Sequence, residues 1–338
     1  MPLVFDTDCQ TNLPDTPLHN LYSWADFIEL LCLSHEDMEY SNEEYATLRL
    51  HAQDLVDSSA DGDEGDTSGI AVKRYERWEE HGRKCFAILR FRAAAYGEYY
   101  PFDVTRSGIQ LTTDYPTEKH LFYLYLLFSA NLRYFGNSLH TFTNDFECVS
   151  LQAMEQMLPD WAESHVFGTG NCGRASRYTG NVEAKINKLA ADVCGTALST
   201  HFPRTSTGDA GLDLVAWTSL DKASHFPTYF AQCGCTDHWN EKQFSASFEK
   251  WHNTIHLPTG LTSLVFVPHC LRGADGLWFN PGEMSMCSFI DRSRFVRIHD
   301  LSGSIILPDA SRLILLGLLG VDIPVPPNLA EEEPQARA

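Results

Sequence analysis

The stretch Gly208-Asp209-Ala210-Gly211-Leu212-Asp213-Leu214-Val215-Ala216-Trp217 constrains this chain more than any other. An aspartate bracketed by glycines predicts a tight turn. The apolar run that follows reads as a strand, and Asp213 stands at its start. A carboxylate that opens a buried strand must be paired or must hold a metal, because an uncompensated ion in a low-dielectric interior is strongly disfavoured. Tyr229-Phe230-Ala231-Gln232-Cys233 reads as a second strand, and Gln232 lies fifteen positions beyond Trp217. That spacing fits a hairpin-like return, with Asp221 and Pro227 in its loop, which sets Gln232 beside Asp213.

The rest of the second half has an α/β order. Residues 181–195 and 239–252 predict helices, residues 261–267 a strand, and residues 294–299 a further strand. The first half reads as mostly helical. Helices are expected at 19–34, 42–57, 70–95, 120–134 and 144–158, from apolar residues at i, i+3 and i+4. The seven basic residues of 70–95, among them Arg92, are expected on a solvated face, with a phosphate-facing surface as the alternative. Asp291-Arg292-Ser293-Arg294 is expected to be a surface ion-pair cluster. The acidic, glycine-rich segment 58–69 reads as a linker. We expect a helical domain over 1–170 for regulation, partner docking or substrate placement. An α/β domain with a mixed sheet flanked by helices is expected over 171–325, and a flexible acidic tail over 326–338.

Lys and Arg number 25 against 45 Asp and Glu, a formal charge of −20, which is evidence against undirected binding of nucleic acid through a basic surface. The acids are uneven: Glu36 to Asp66 holds eleven against one Arg49. A nucleic-acid enzyme of this composition needs a local cationic groove, a metal or a partner. No apolar run is long enough to span a bilayer and no signal-peptide pattern opens the chain, so a cytoplasmic protein with no membrane association is expected. Ten cysteines lie scattered without a paired framework and are expected to be reduced, mostly as small core residues.

Two oxygen ligands on neighbouring strands, Asp213 and Gln232, suit Mg²⁺ (or Mn²⁺), which keeps most of its waters and binds phosphate oxygens. Such an ion activates water for attack on a phosphodiester. Glu183, on the helix preceding the first strand, is the best third acid by sequence. A helix with Glu, then Gly-Asp-x-Gly-x-Asp on a strand, then Gln on the next strand resembles the restriction-endonuclease-like PD-(D/E)XK nucleases, in the subset with glutamine in place of the second acid. The resemblance covers residues 181–300. It implies a restriction-endonuclease-like fold and a metal-dependent endonuclease, with DNA favoured over RNA as substrate. It also implies a role as effector in bacterial antiviral defence, with a protein partner or homo-oligomer. Carried over residue by residue, Asp213 and Gln232 match the metal ligands and Glu183 the helix acid. The family's Gln-x-Lys would place lysine at 234, where this chain has Gly234; Lys242 on the following helix is the candidate replacement, with Lys250 as a competitor.

Other chemistries find less support. Gly168-Thr169-Gly170-Asn171-Cys172-Gly173-Arg174 lacks the Gly-Lys-Ser/Thr ending of a phosphate loop. Cys233, Cys235 and His238 have no closed zinc spacing, and no Gly-x-Ser-x-Gly elbow is present. The competing reading of the same residues is a catalytically degenerate nuclease fold serving as a scaffold subunit, which Gly234 favours.

Overall fold

The computed structural model describes residues 19–57, 67–112, 116–135, 140–168, 170, 172–198, 208–236, 238–285 and 287–320. Residues 58–66 of the expected linker and the whole of the expected tail lie outside them; residues 67–69 already belong to a helix. The first half holds α1 (Leu21–Ser34), β1 (Glu39–Ser41), α2 (Asn42–Asp57), α3 (Thr67–Tyr96), β2 (Phe102–Val104), β3 (Gly108–Leu111), α4 (Glu118–Ser129) and α5 (His140–Met157). The three short strands form a small antiparallel sheet in the order β1-β3-β2. Helix α4 is buried on nearly every side and begins in a capping box. Thr117 Oγ1 accepts from the His120 amide, and His120 Nδ1 accepts from the Thr117 amide.

The second half continues with β4 (Glu163–Val166), α6 (Val182–Asp192), β5 (Thr196–Ala197), β6 (Leu214–Trp217), β7 (Thr228–Cys233), α7 (Trp239–Lys242) and α8 (Phe248–His252). It closes with β8 (Ile255–His256), β9 (Leu261–Phe266), β10 (Ser288–Ile290), α9 (Arg292–Ser302) and α10 (Asp309–Leu318). The main sheet has the order β4-β6-β7-β9-β10. The β4–β6 and β6–β7 pairs are antiparallel, and β7–β9 and β9–β10 are parallel, so the sheet is mixed, as expected. Apolar side chains alternate through it. Leu214, Ala216, Ala231 and Phe266 enter the largest core cluster on one face; Val215, Trp217 and Phe230 enter a second cluster on the other. Both faces are therefore dry, and α6 covers the second with Val182, Ile186, Leu189 and Ala190 at helical spacing.

Several expectations are corrected. The boundary near residue 170 falls between two paired strands, β4 and β6, and the largest cluster runs from Trp24 to Leu316, so the two halves share a core. The strand expected at 294–299 is helix α9. Asp291 caps it by accepting from the Arg294 amide, and Gly303, at φ +63°, ends it in the left-handed conformation. The helix expected over 239–252 splits into α7 and α8, because Ser247 starts the second by capping the Lys250 amide. Arg92, Asp291 and Arg292 are not surface residues but are 0% exposed. Arg92 bridges Asp26 at 2.7 Å and Glu29 at 3.0 Å, Arg292 reaches Asp26 at 2.7 Å, and Tyr100 donates to Glu29 at 2.7 Å. Burial penalises each of these charges, and the arrangement is tolerated only because every charge has an opposite neighbour. It joins α1, α3 and α9, and so the two halves of the chain.

Candidate active site at the β6–β7 pair

The turn that leads into β6 is tightly wound. Ala210 (φ +54°) and Gly211 (φ +75°) are both left-handed, Leu212 N–H donates to the Asp209 carbonyl at 3.1 Å, and Gly211 N–H donates to Asp209 Oδ1 at 2.6 Å. Two positive φ values in the centre define a primed turn, the kind that fits the twist of antiparallel strands. Asp213 is then stitched in on both sides. Its amide donates to Ala231 at 3.0 Å, and its carbonyl accepts from Phe167 at 2.7 Å and Gly168 at 3.2 Å.

Leu214 pairs with Ala231, so Asp213 and Gln232 occupy the next position of the ladder. The structure brings these two together as the sequence implies. Gln232 Nε2 donates to Asp213 Oδ2 at 2.5 Å, and the Cys233 amide donates to the same oxygen at 2.7 Å. Both side chains are buried, at 5% and 6% exposure. Gln232 Oε1 is buried without a hydrogen-bond partner. A buried acceptor left in this state costs about 1–3 kcal/mol, so its retention calls for an explanation.

Glu183 does not join them. It sits exposed on the first turn of α6, whose opposite face fills the second core cluster. The acid that meets Asp213 is Glu147, on α5, which packs across β4 and β7. A Cβ placed on Gly168 would lie 3.5 Å from Glu147 Oε2, 3.6 Å from Asp213 Oδ1 and 3.7 Å from Asp209 Oδ2. Three carboxylates thus surround one point that only a glycine leaves open. Sequence reasoning passed over Glu147, although one clue was available. It lies between Phe146 and Val149–Ser150, an acid on the edge of an otherwise core-facing stripe.

The electrostatics follow from that crowding. Burial first, then the Glu147 charge, push Asp213 from 3.8 up to about 8, against the opposing hydrogen bond from Cys233. Burial and the Asp209 charge push Glu147 from 4.5 up to about 7, which the Gly170 backbone partly offsets. Glu147 Oε2 is itself a buried oxygen without a hydrogen-bond partner of good geometry. Opposite charge approaches from two sides. Lys242 lays its stem across Gly234: its Cγ would stand 3.1 Å from a Cβ there, and its charge lowers the Asp213 pKa. Lys250 donates to the Ala210 carbonyl and feels both Asp209 and Asp213. Gly234 is thus the gap that admits a lysine from the next helix.

Among the described residues, no group of three or more His, Cys, Asp or Glu side chains is placed to hold a metal ion. The carboxylate gap, at 3.5–3.7 Å to each oxygen, is wider than the ~2.1 Å contacts of Mg²⁺. The donor set nevertheless fits an ion of that kind, with hard oxygens only and two of them buried and unsatisfied. It does not fit zinc through Cys233 and Cys235. Burial beside Asp213 and Glu147 holds both thiols protonated, the reverse of what a thiolate ligand needs.

One expectation about cysteine is overturned. Cys148, next to Glu147, forms a disulfide with Cys172, with Cα atoms 5.2 Å apart. The bond ties the glycine-rich segment after β4 back onto α5, beside the carboxylates. Sequence spacing gave no hint of it, because the pairing depends on how that segment returns.

No protein-family model, curated protein or solved structure matches this chain. Among the described residues, no helix is long and apolar enough to cross a membrane.

Proposed function

We propose that the chain is a metal-dependent phosphodiesterase acting on nucleic acid, with DNA favoured, built on a restriction-endonuclease-like sheet. The observation that carries this reading is the convergence of Asp213, Glu147 and Asp209 on the point a Gly168 Cβ would occupy, with Gln232 bonded to Asp213 and the stem of Lys242 crossing Gly234. Glu147 and Asp213, raised to about 7 and about 8, carry a desolvation cost of the kind that concentrates at functional sites. A divalent cation removes that cost.

Asp213 Oδ1, Glu147 and Gln232 Oε1 would hold Mg²⁺ or Mn²⁺, which when bound supplies an acidified water and neutralises charge on a phosphate. Asp213 Oδ2 is spent on Gln232 and the Cys233 amide, which fixes the rotamer and aims Oδ1 at the gap. Lys242, whose stem crosses Gly234 and whose charge reaches Asp213, would supply the ammonium of a Gln-x-Lys motif, to orient the attacking oxygen or offset charge on the phosphate. Lys250, engaged with Ala210, holds the Asp209–Gly211 turn in place. The path of substrate into the site must contend with a charge of −20, so we propose that a protein partner or a second copy of the chain presents the nucleic acid. The setting in antiviral defence rests on the sequence resemblance alone.

The test is a cleavage assay with Mg²⁺ or Mn²⁺ on plasmid, linear DNA, single-stranded DNA and RNA, comparing wild type with Asp213→Ala and Glu147→Gln. Cutting that requires metal and disappears in both variants supports the reading. A wild type that neither cuts nor binds divalent ions at pH 8 would establish the scaffold alternative.

A further inference from the structure

A second concave site lies away from the carboxylate gap, where the two halves of the chain meet. It is a cleft of about 500 Å³ between the end of α3, the segment Arg272–Gly276 and helix α9. That volume falls in the range of small-molecule sites, roughly 300–1,000 Å³. Small apolar residues line it, with Ala94 and Ala95 exposed on α3 and Val296 buried on α9. Gly276, at φ +77°, lines it, and its missing Cβ would stand 2.7 Å from the Phe91 ring; the loop approaches α3 this closely only because glycine is there.

The rim is cationic in a strongly acidic protein. Lys119, Arg272, Arg294 and Arg297 line it against two acids, Glu98 and Asp300. Three of the cations have partners: Arg272 on Asp291 at 2.8 Å, Lys119 on Glu98 at 2.7 Å and Arg297 on Asp300 at 2.9 Å. Arg294 has no carboxylate partner among the described residues. It donates one N–H to the Phe289 carbonyl and stacks on Trp278 at 5.0 Å, the indole that also carries Arg272 at 3.4 Å. Stacking and the carbonyl bond hold the guanidinium in place ahead of any ligand. The hydroxyls of Tyr96 and Ser293, 2.8 Å apart, add polar groups at the wall.

We propose that this cleft binds a small phosphorylated ligand of nucleotide size, with its phosphate on Arg294 and Arg297 and its flat apolar part against Ala94 and Ala95. A planar guanidinium without a carboxylate suits phosphate, which it holds through two parallel N–H bonds. The exposed pairs Lys119–Glu98 and Arg297–Asp300 are worth little by themselves and exchange readily for a phosphate. A small ligand is favoured over a nucleic-acid strand because the cleft holds only about 500 Å³ and is bordered by Glu98 and Asp300. Because Tyr96 of α3 and Ser293 of α9 are bonded to each other in its wall, a bound ligand would bridge α3 and α9.

The test is calorimetric titration of the full chain with AMP, ATP and inorganic pyrophosphate at about 100 mM salt, with a 20-residue single-stranded oligonucleotide as a separate arm. Saturable binding of at least one phosphate probe is expected, weakened about tenfold or more in Arg294→Ala and retained in Asp213→Asn. The second variant is Ala95→Trp, which adds bulk to the cleft lining from an exposed helical position without touching charge, and it too should lose binding. No saturable binding by wild type, or equal binding by both cleft variants, overturns the proposal. Tighter, salt-sensitive binding of the oligonucleotide that Arg294→Ala abolishes overturns it as well, in favour of a nucleic-acid surface.

Discussion

Replacing Asp213 by Asn should make the metal-free protein more stable at alkaline pH. Asp213 has its pKa raised from 3.8 to about 8 by burial and by Glu147. A carboxyl with a raised native pKa binds its proton more tightly in the folded than in the unfolded chain. Its stabilising contribution is therefore whole below about pH 4 and is lost as pH climbs toward 8. Four pH units at about 1.4 kcal/mol each set a ceiling on the order of 5 kcal/mol at pH 8. Water entry and relaxation reduce this, so about 2–4 kcal/mol is expected, or roughly 3–6 °C in Tm for a chain of this size. Asparagine keeps the geometry, because its carbonyl oxygen can still accept from Gln232 and the Cys233 amide. The assay is thermal unfolding in EDTA between pH 4 and pH 9, for wild type and Asp213→Asn. The two curves should meet near pH 4 and separate as pH rises, with the variant above. Added Mg²⁺ should then raise the wild type at pH 8 and leave the variant unmoved. A variant that melts below wild type at pH 8 in EDTA would refute the reasoning, since it would mean that the carboxylate is a satisfied structural partner.

Four further outcomes follow from the same geometry. Gly168→Ala places a methyl among three carboxylates at ordinary contact distance, so it should fold with an unchanged Tm yet lose at least about tenfold in Mg²⁺ affinity by titration. Glu147→Gln should abolish metal-dependent cleavage, whereas Glu183→Gln, on the exposed turn of α6, should leave the rate within about twofold. Asp26→Ala strips both Arg92 and Arg292 of a buried partner and should cost about 3–5 kcal/mol in denaturant unfolding, or prevent folding. Reduction of Cys148–Cys172, which closes a loop of 24 positions, should cost about 3 kcal/mol and lower the Tm, an effect absent in a Cys148→Ser and Cys172→Ser double variant.

Local pattern settled some features of this chain and could not reach others. The turn at 208–213, the apolar strand after it and the helices with clear 3.6-residue spacing were legible because neighbours in sequence decide them. Asp213 and Gln232 were legible for the same reason: two antiparallel strands joined by a short return leave few registers, and only one sets both polar residues together. Glu147 was hidden because α5 and β6 are separated by more than fifty residues, and no local rule says which helix covers that end of the sheet. Glu183 had the better position in sequence, but α6 turns its apolar face to the opposite side of the sheet and leaves the acid in solvent. Arg92 and Arg292 looked like ordinary surface charges until the fold supplied Asp26 and Glu29 from a third helix. The strand pair that carries the site was thus written into the sequence. The third carboxylate, the lysine over Gly234, the disulfide and the cationic cleft are products of tertiary packing, because each joins groups whose proximity only long-range chain closure creates.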